Sequence, residues 1–390
     1  MSKTFFLTST VYHKKFRDRL DAAIESSSIV VVIGFDRKDE LRTGERRSTK
    51  VCYSLVSTPA KVSLLRRIHL LILLIYRIII ARLWYGRPDT VLANSADLMI
   101  LASIFFHSAN RRVYDLADIN PIQYGSSPFS RAFRQLESSL LKRRWEIVVT
   151  SPWFYWEYIR PVLKLNSACY LIENKLIGRR KALKPHYRLI KNRGKFVIGW
   201  SGLLRCNRSF EILLDLCESH NDNIELIIIG DTTKIRLDLI NKARLLCNVQ
   251  ISGPYIEEEI GDRLADIDLL WACDLSDGIN SQCLLPNRLY QAVFYGKPLI
   301  SQADSAIAKV VGHFGLGLIL QECTAKSLAS QLLDITQMQY DSWLSNCIPL
   351  REKTLRGGEW KNFLTNSVNS ISRRIPHNED VAVVFHAYEA

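Results

Sequence analysis

The chain has 390 residues, too many for one ordinary hydrophobic core, so two domains of similar size are expected. With 47% hydrophobic and 23% charged residues it reads as globular, which excludes a disordered chain. The formal net charge of +13 points to an anionic partner, and charge alone leaves nucleic acid, an acidic membrane and a phosphorylated small molecule open.

Taken in order, residues 4–9, 29–35, 51–56, 90–93, 112–116, 146–150 and 169–172 read as strands, and 13–27, 96–109, 129–144 and 153–163 as helices. The N-terminus has too short an apolar run for a signal peptide. A further helix is expected over 62–84, where Arg66, Arg67, Arg77 and Arg82 interrupt an apolar segment. Its uninterrupted stretch, 70–76, falls far short of the roughly 20 residues a membrane span needs. It reads either as a core helix or as a basic, apolar helix resting on an anionic leaflet, and the two agree if each face does one job. Residues 37–50 read as a charged loop and 178–195, strongly basic, as a linker. Beyond it, strands are expected at 196–200, 224–229, 249–252, 268–272, 299–301 and 316–320, with helices at 208–220, 233–246, 257–265, 286–295, 306–314 and 327–337. Alternation of strand and helix in both halves implies parallel sheets with helices on both faces, and ligands beyond the carboxyl ends of the strands.

The nine cysteines include no CxxC pair and no Cys/His group at zinc spacing, so free thiols in a reducing cytoplasm are expected, and no metal site. Neither first strand–helix turn carries GxGxxG, which argues against a dinucleotide oxidoreductase. No zinc knuckle, RNA-recognition signature or helix-turn-helix stands out, which argues against a nucleic-acid partner.

The stretch at 281–301, SQCLLPNRLYQAVFYGKPLIS, organises the second half. Pro286 suits a first helical position, Leu289, Ala292 and Val293 form an apolar stripe, and Gly296 can end the helix at positive φ. A helix N-terminus carrying Asn287 and Arg288 favours an anion such as a phosphate. The run PNRLYQAVFYGKPLI resembles the donor-binding segment of GT-B-fold glycosyltransferases, more narrowly the group 1 (family 4) enzymes of bacterial exopolysaccharide and cell-surface glycan synthesis. Also similar to that family are the glycine turn with arginines at 200–208, the segment TSPWF at 150–154 and Glu173-Asn174-Lys175.

The resemblance implies an α/β, GT-B architecture, two Rossmann-like doubly wound parallel-sheet domains facing a cleft. It divides the chain into an acceptor-binding domain at 1–180, the linker at 181–195, a nucleotide-sugar domain at 196–340, helices at 341–372 that cross back, and a tail at 373–390. It implies transfer of a sugar, retaining and without a metal or cofactor, from a nucleotide diphosphate sugar to a saccharide or lipid-linked acceptor. The implied location is cytoplasmic, peripheral at the inner face of the plasma membrane.

The donor side would use Gly202 for close approach and Arg205, Arg208 and Arg288 for the diphosphate. Asn287 would give polar support, Gly253 and Tyr255 would lie beside the base, and Asn280 and Ser281 near the donor sugar. Gln291 stands where the family usually has a ribose-binding glutamate, and Cys283 where an E-x7-E pattern would begin. On the acceptor side Asn94 and Asp97 follow one strand, and Asp118, with Asp115 as alternative, is the candidate base or orienter; His13 lies in the loop after the first strand. Taken as residues alone, the two aspartates read equally as turn formers or helix caps, and Arg205 and Arg208 as solvated arginines. A nucleotide-sugar epimerase and a non-catalytic sugar-binding homologue remain as rivals.

Overall fold

The computed structural model describes residues 2–11, 14–37, 49–58, 64–178, 195–276, 278–365 and 374–385. His13, most of the charged loop after residue 37 and all but the ends of the basic linker lie outside the described residues. The chain forms two compact units, one of residues 1–173 and 358–379, the other of 174–357 and 380–390.

Unit 1 runs β1 (Lys3–Thr8), α1 (Lys14–Ser26), β2 (Ile29–Arg37), β3 (Val51–Thr58), α2 (Leu64–Tyr85), β4 (Thr90–Ala93), α3 (Ala96–Phe105), β5 (Arg111–Leu116), α4 (Pro121–Tyr124), α5 (Pro128–Leu141), β6 (Glu146–Val149) and β7 (Cys169–Leu171). The seven strands are parallel in the order β3-β2-β1-β4-β5-β6-β7. Phe5 to Leu7 and Val30 to Ile33 are fully buried, as continuous apolar strands covered on both faces should be. Strand order reverses between β1 and β4. Right-handed crossovers therefore place α1 on one face of the sheet and α2, α3 and α5 on the other. Contacts of α2 with β2, β3 and α3, and of α3 with α5, trace that second layer. The helix expected over 153–163 starts at 153 but widens into a π-helical turn, Tyr155–Ile159, and ends there, burying Tyr155, Tyr158 and Ile159 together.

Unit 2 runs β8 (Phe196–Leu203), α6 (Asn207–Ser219), β9 (Ile224–Asp231), α7 (Leu237–Leu245), β10 (Val249–Ile251), α8 (Ile260–Leu264), β11 (Leu269–Trp271), α9 (Ile279–Cys283), α10 (Asn287–Tyr295), β12 (Leu299–Gln302), α11 (Ala306–Phe314), β13 (Gly317–Leu320), α12 (Ala325–Leu333) and α13 (Gln337–Cys347). Its six parallel strands follow the doubly wound order β10-β9-β8-β11-β12-β13, with the reversal between β8 and β11.

Two expectations about the C-terminal part are corrected. Helix α13 does not return to unit 1: Tyr340 and Leu344 are buried in the unit 2 core, and the Tyr340 hydroxyl donates to the Asp268 carbonyl at 3.1 Å. The chain rejoins unit 1 only at Gly358, where α14 (Glu359–Thr365) packs Trp360 and Phe363 into that core beside α1. The segment expected to be a tail is docked. Trp153 Nε1 donates to Glu379 at 2.9 Å, Trp156 Nε1 to the Pro376 carbonyl at 2.9 Å, and Arg374 bridges Tyr170. Val381–Val383 is a 3-10 turn and not a strand, and Phe385, 1% exposed, packs on Tyr290 and Phe314 of unit 2.

Candidate functional site

The reversal point of the unit 2 sheet is where a doubly wound fold leaves a crevice beyond its strand ends. Arg288 occupies it. The guanidinium Nε donates to the Ser201 carbonyl at the end of β8 at 2.9 Å, and Nη1 donates to the Trp271 carbonyl at the end of β11 at 3.1 Å. One side chain thus ties together the two strands that flank the reversal. Its guanidinium lies 6.0 Å from the Trp200 ring centre, and Nη2 is 3.9 Å from where a Cβ on Gly202 would sit.

Helix α10 places this arginine. Pro286 is the cap residue and not the first helical residue, and the helix ends at Gly296 in the left-handed conformation (φ 64°, ψ 49°). The expected one-sided stripe is corrected, because every residue from Leu289 to Tyr295 is buried. The helix is a core element whose first turn carries no side-chain cap and no acidic residue, so its N-terminal field is not already neutralised there.

Two glycines let the chain approach closely here. Gly202 has φ +107°, and on Gly230, at φ +146°, a Cβ would lie 1.9 Å from the Gly202 carbonyl oxygen. The paired ends of β8 and β9 therefore lie too close for a side chain at Gly230.

Around Arg288 stand Arg205, Asp274, Tyr255 and Gln291. Arg205 Nη2 donates to Asp274 Oδ2 at 3.2 Å. Burial alone would raise the Asp274 carboxyl; the Ser276 hydroxyl and the Arg205 charge outweigh it, and the net direction is down. Burial lowers the Arg288 pKa from its ordinary value, with Asp274 and Tyr255 opposing. Two guanidiniums and one carboxylate leave one positive charge in excess among these three groups. Gln291, 2% exposed, is held at both ends: Ser201 Oγ donates to its Oε1 at 3.4 Å and its Nε2 donates to the Tyr255 hydroxyl at 3.3 Å. Asn287 Nδ2 donates to the Asn174 carbonyl at 3.2 Å, while the buried Asn174 side-chain amide has no partner among the described residues.

The remaining donor-side candidates lie further out. Arg208 is 60% exposed and pairs with Glu211 on its own helix at 3.7 Å. Gly253 has φ +69° and open space around it. Asn280 and Ser281 are buried in α9. Among the described residues no group of three His, Cys, Asp or Glu could hold a metal ion.

In unit 1 the acceptor-side candidates separate. Asn94 Nδ2 donates to Thr8 Oγ1 at 2.8 Å and its Oδ1 accepts from Ser9 N at 3.0 Å, which closes the β1–β4 reversal point. Asp97 is exposed in the first turn of α3, a position that suits a carboxylate beside a helix N-terminus. Asp118 is exposed just beyond β5. Asp115 is 1% exposed and is committed to Arg19, 2% exposed, through both carboxylate oxygens, with the Arg19 guanidinium 4.7 Å from the centre of the Trp360 ring. Its burial and pairing make it part of the core.

Sequence reasoning placed Asp274 in the loop near the donor sugar and Ser201 in the glycine turn but gave neither a role of its own, and it missed a thiol group behind them. Cys273 Sγ donates to the Ile300 carbonyl at 3.6 Å, and Cys206 Sγ accepts from Ser209 N and Leu275 N at 3.3 Å each. The neighbouring Cys273 thiol lowers the Cys323 thiol despite its burial, with Arg208 adding to the effect, while burial pushes Cys273 well above its ordinary value. All nine cysteines are free, as expected.

The two sheets and their strand orders give the chain the two-Rossmann-domain GT-B fold of the glycosyltransferases it was expected to resemble. Among solved structures, Anabaena HepE in complex with UDP matches with a TM-score of 0.64 and 16% identity over 94% of this chain and 97% of that one. WaaG, a glycosyltransferase involved in lipopolysaccharide biosynthesis, matches with a TM-score of 0.57 and 14% identity over 90% and 95%. By sequence, the chain is 26% identical over 265 residues to the succinoglycan biosynthesis protein ExoL of Rhizobium meliloti (strain 1021), a match that spans 65% of this chain and 66% of the relative. No family model matches the chain.

Proposed function

We propose that the protein is a glycosyltransferase that moves a sugar from a UDP-sugar to a saccharide or lipid-linked saccharide acceptor in exopolysaccharide synthesis. The observation that carries this is Arg288, fixed across the β8–β11 reversal point by two carbonyls, with Arg205 and an uncapped helix end beside it. Support comes from the relatives: one is named for succinoglycan biosynthesis, and HepE has been crystallised with UDP and with UDP-glucose.

Charge builds on the diphosphate as the sugar leaves. Fixed donors aimed at that charge lower the barrier without reorganising. A charge-assisted hydrogen bond is worth about 1.5–3 kcal/mol and a helix end about 0.3–1 kcal/mol, so the arginines dominate. Arg288 and Arg205 take the diphosphate, Gly202 admits it to the backbone, and Tyr255 lines the base. Gln291 offers the ribose hydroxyls a neutral amide in place of a carboxylate. Asp118 orients the acceptor hydroxyl. The transfer is metal-independent and retains anomeric configuration in this reading.

The test incubates purified protein with labelled UDP-sugars and a lipid-linked saccharide. Release of UDP only when acceptor is present, with label appearing in the acceptor at retained configuration by NMR, is the expected result. Sugar interconversion without acceptor would point to an epimerase instead. The commitment of Gln291 at both ends favours one second reading, a donor-binding homologue without turnover, which would show UDP-sugar binding and no release.

A further inference from the structure

Helix α2 has two apolar faces. Leu70, Leu74, Ile78 and Ala81 are buried against the sheet at helical spacing. Ile72, Tyr76, Ile79 and Leu83 recur at the same spacing on the opposite side, and they are 59%, 57%, 42% and 73% exposed. Trp84, 77% exposed, lies at the end of the helix about a quarter-turn round from Tyr76, and Ile104 of the neighbouring α3 adds a further exposed apolar side chain. Among the described residues of unit 1, seven exposed large apolar side chains lie on α2, two on α5, one on α3 and one, Val162, outside the helices. Among the described residues none lies on α1 or α14, which cover the other face of the sheet. An outward stripe this long on one helix is not the scatter of single apolar residues that any surface carries.

The charge carried by α2 itself is of one sign. Helix α2 contains four arginines and no acidic residue. Arg77 and Arg82 are exposed on α2, and Arg87 follows it. Arg82 is anchored to the Phe105 carbonyl at the end of α3, and Arg87 donates to Asn110 at 3.0 Å, so both cations are held at the rim of the patch. Tyr76 and Trp84 have the amphipathic rings that settle at the level of lipid headgroups. Among the described residues no helix is long and apolar enough to cross a bilayer.

We propose that the outer face of α2 is a membrane-docking surface, which lies in the plane of an anionic bilayer with Ile72, Ile79 and Leu83 among the acyl chains, Tyr76 and Trp84 at headgroup level, and Arg77, Arg82 and Arg87 at the lipid phosphates. Apolar burial supplies the attachment and the arginines select the anionic leaflet. The inward stripe keeps α2 bound to the sheet while the outward stripe enters lipid, so docking needs no unfolding.

The test is flotation of the purified full chain with vesicles of phosphatidylcholine alone or mixed with phosphatidylglycerol. The native chain floats with the anionic vesicles and remains behind with the neutral ones. Ile79→Ser with Leu83→Ser, both exposed positions, lowers partitioning roughly tenfold or more, since each loses most of its apolar transfer energy. Arg77→Gln with Arg87→Gln lowers binding to the anionic vesicles likewise and leaves the chain behind with the neutral ones. Circular dichroism and melting temperature verify that each variant is folded. Equal binding to both vesicle types, or undiminished binding of the two double variants, overturns the proposal. So does a dimer, seen by sedimentation in the absence of lipid, that the serine variants abolish while vesicle binding is absent, because the face then belongs to a second copy.

Discussion

The two sheets reverse strand order at equivalent places, yet the residues at the two reversal points do opposite things. In unit 1, Asn94 spends both ends of its amide on Thr8 and Ser9, and the nearby Asp115 is neutralised by a buried arginine. Both groups are neutral or compensated. In unit 2, Arg288 is fixed to backbone carbonyls, which offer dipoles but no full negative charge, and Asp274 is shared between Arg205 and the field at Arg288. A fixed cation that is not fully neutralised waits for an anion. The same fold therefore stabilises itself at one switch point and keeps binding energy in reserve at the other.

The comparison breaks first at Arg19. Arg19→Ala leaves Asp115 buried and unpaired, and a loss of about 3–5 kcal/mol in denaturant unfolding is expected, with UDP affinity of the surviving folded protein unchanged. Arg288→Ala should do the reverse: UDP release from the donor falls about 10²–10³-fold while the melting temperature moves little. An Arg288→Ala chain that loses stability and keeps turnover, or an Arg19→Ala chain that keeps stability and loses UDP affinity, would reverse the two assignments.

A third variant separates burial from charge in unit 1. Glu137, fully buried, accepts from the Tyr114 and Tyr158 hydroxyls and from Gln123, but burial outweighs these bonds and raises its pKa from 4.5 to about 7. The folded state then holds this proton more tightly than the unfolded chain, so stability falls as pH rises from about 4.5 to about 7 and is level above. The contribution is about 3 kcal/mol across that window, and Glu137→Gln should flatten it in melts recorded over the same range. Next in size, Gly230→Ala must displace the Gly202 carbonyl; about 2 kcal/mol of stability and a weakened donor site are expected from unfolding and UDP titrations. The smallest effect sharpens the donor reading. Gln291→Glu supplies the carboxylate that the ribose hydroxyls would bond more strongly, and a roughly threefold to tenfold fall in donor KM is expected.

Strand positions were legible because a parallel sheet covered on both faces demands continuous apolar runs, such as Val30 to Ile33. Arg288 was legible because the proline, the helix and Gly296 around it form a local pattern. The double face of α2 was legible as an ambiguity, and the structure assigns one stripe to each side. Long-range partners were not legible. Arg205 meets Asp274 across 69 positions and Arg19 meets Asp115 across 96, and no local spacing says which carboxylate an arginine will find. The same holds for Asn94, whose residue type suits a binding loop and a structural clamp equally. The C-terminal segment was misread as a tail because its anchors, Trp153 and Trp156, lie more than two hundred residues earlier.

The account rests on the donor nucleotide being held at the β8–β11 reversal point by Arg288. Calorimetric titration of UDP into the native chain, Arg288→Ala and Asn94→Ala tests this most directly. Binding to the native chain and to Asn94→Ala with equal affinity, and loss of binding with Arg288→Ala, is the predicted result. Undiminished UDP affinity in folded Arg288→Ala would contradict it.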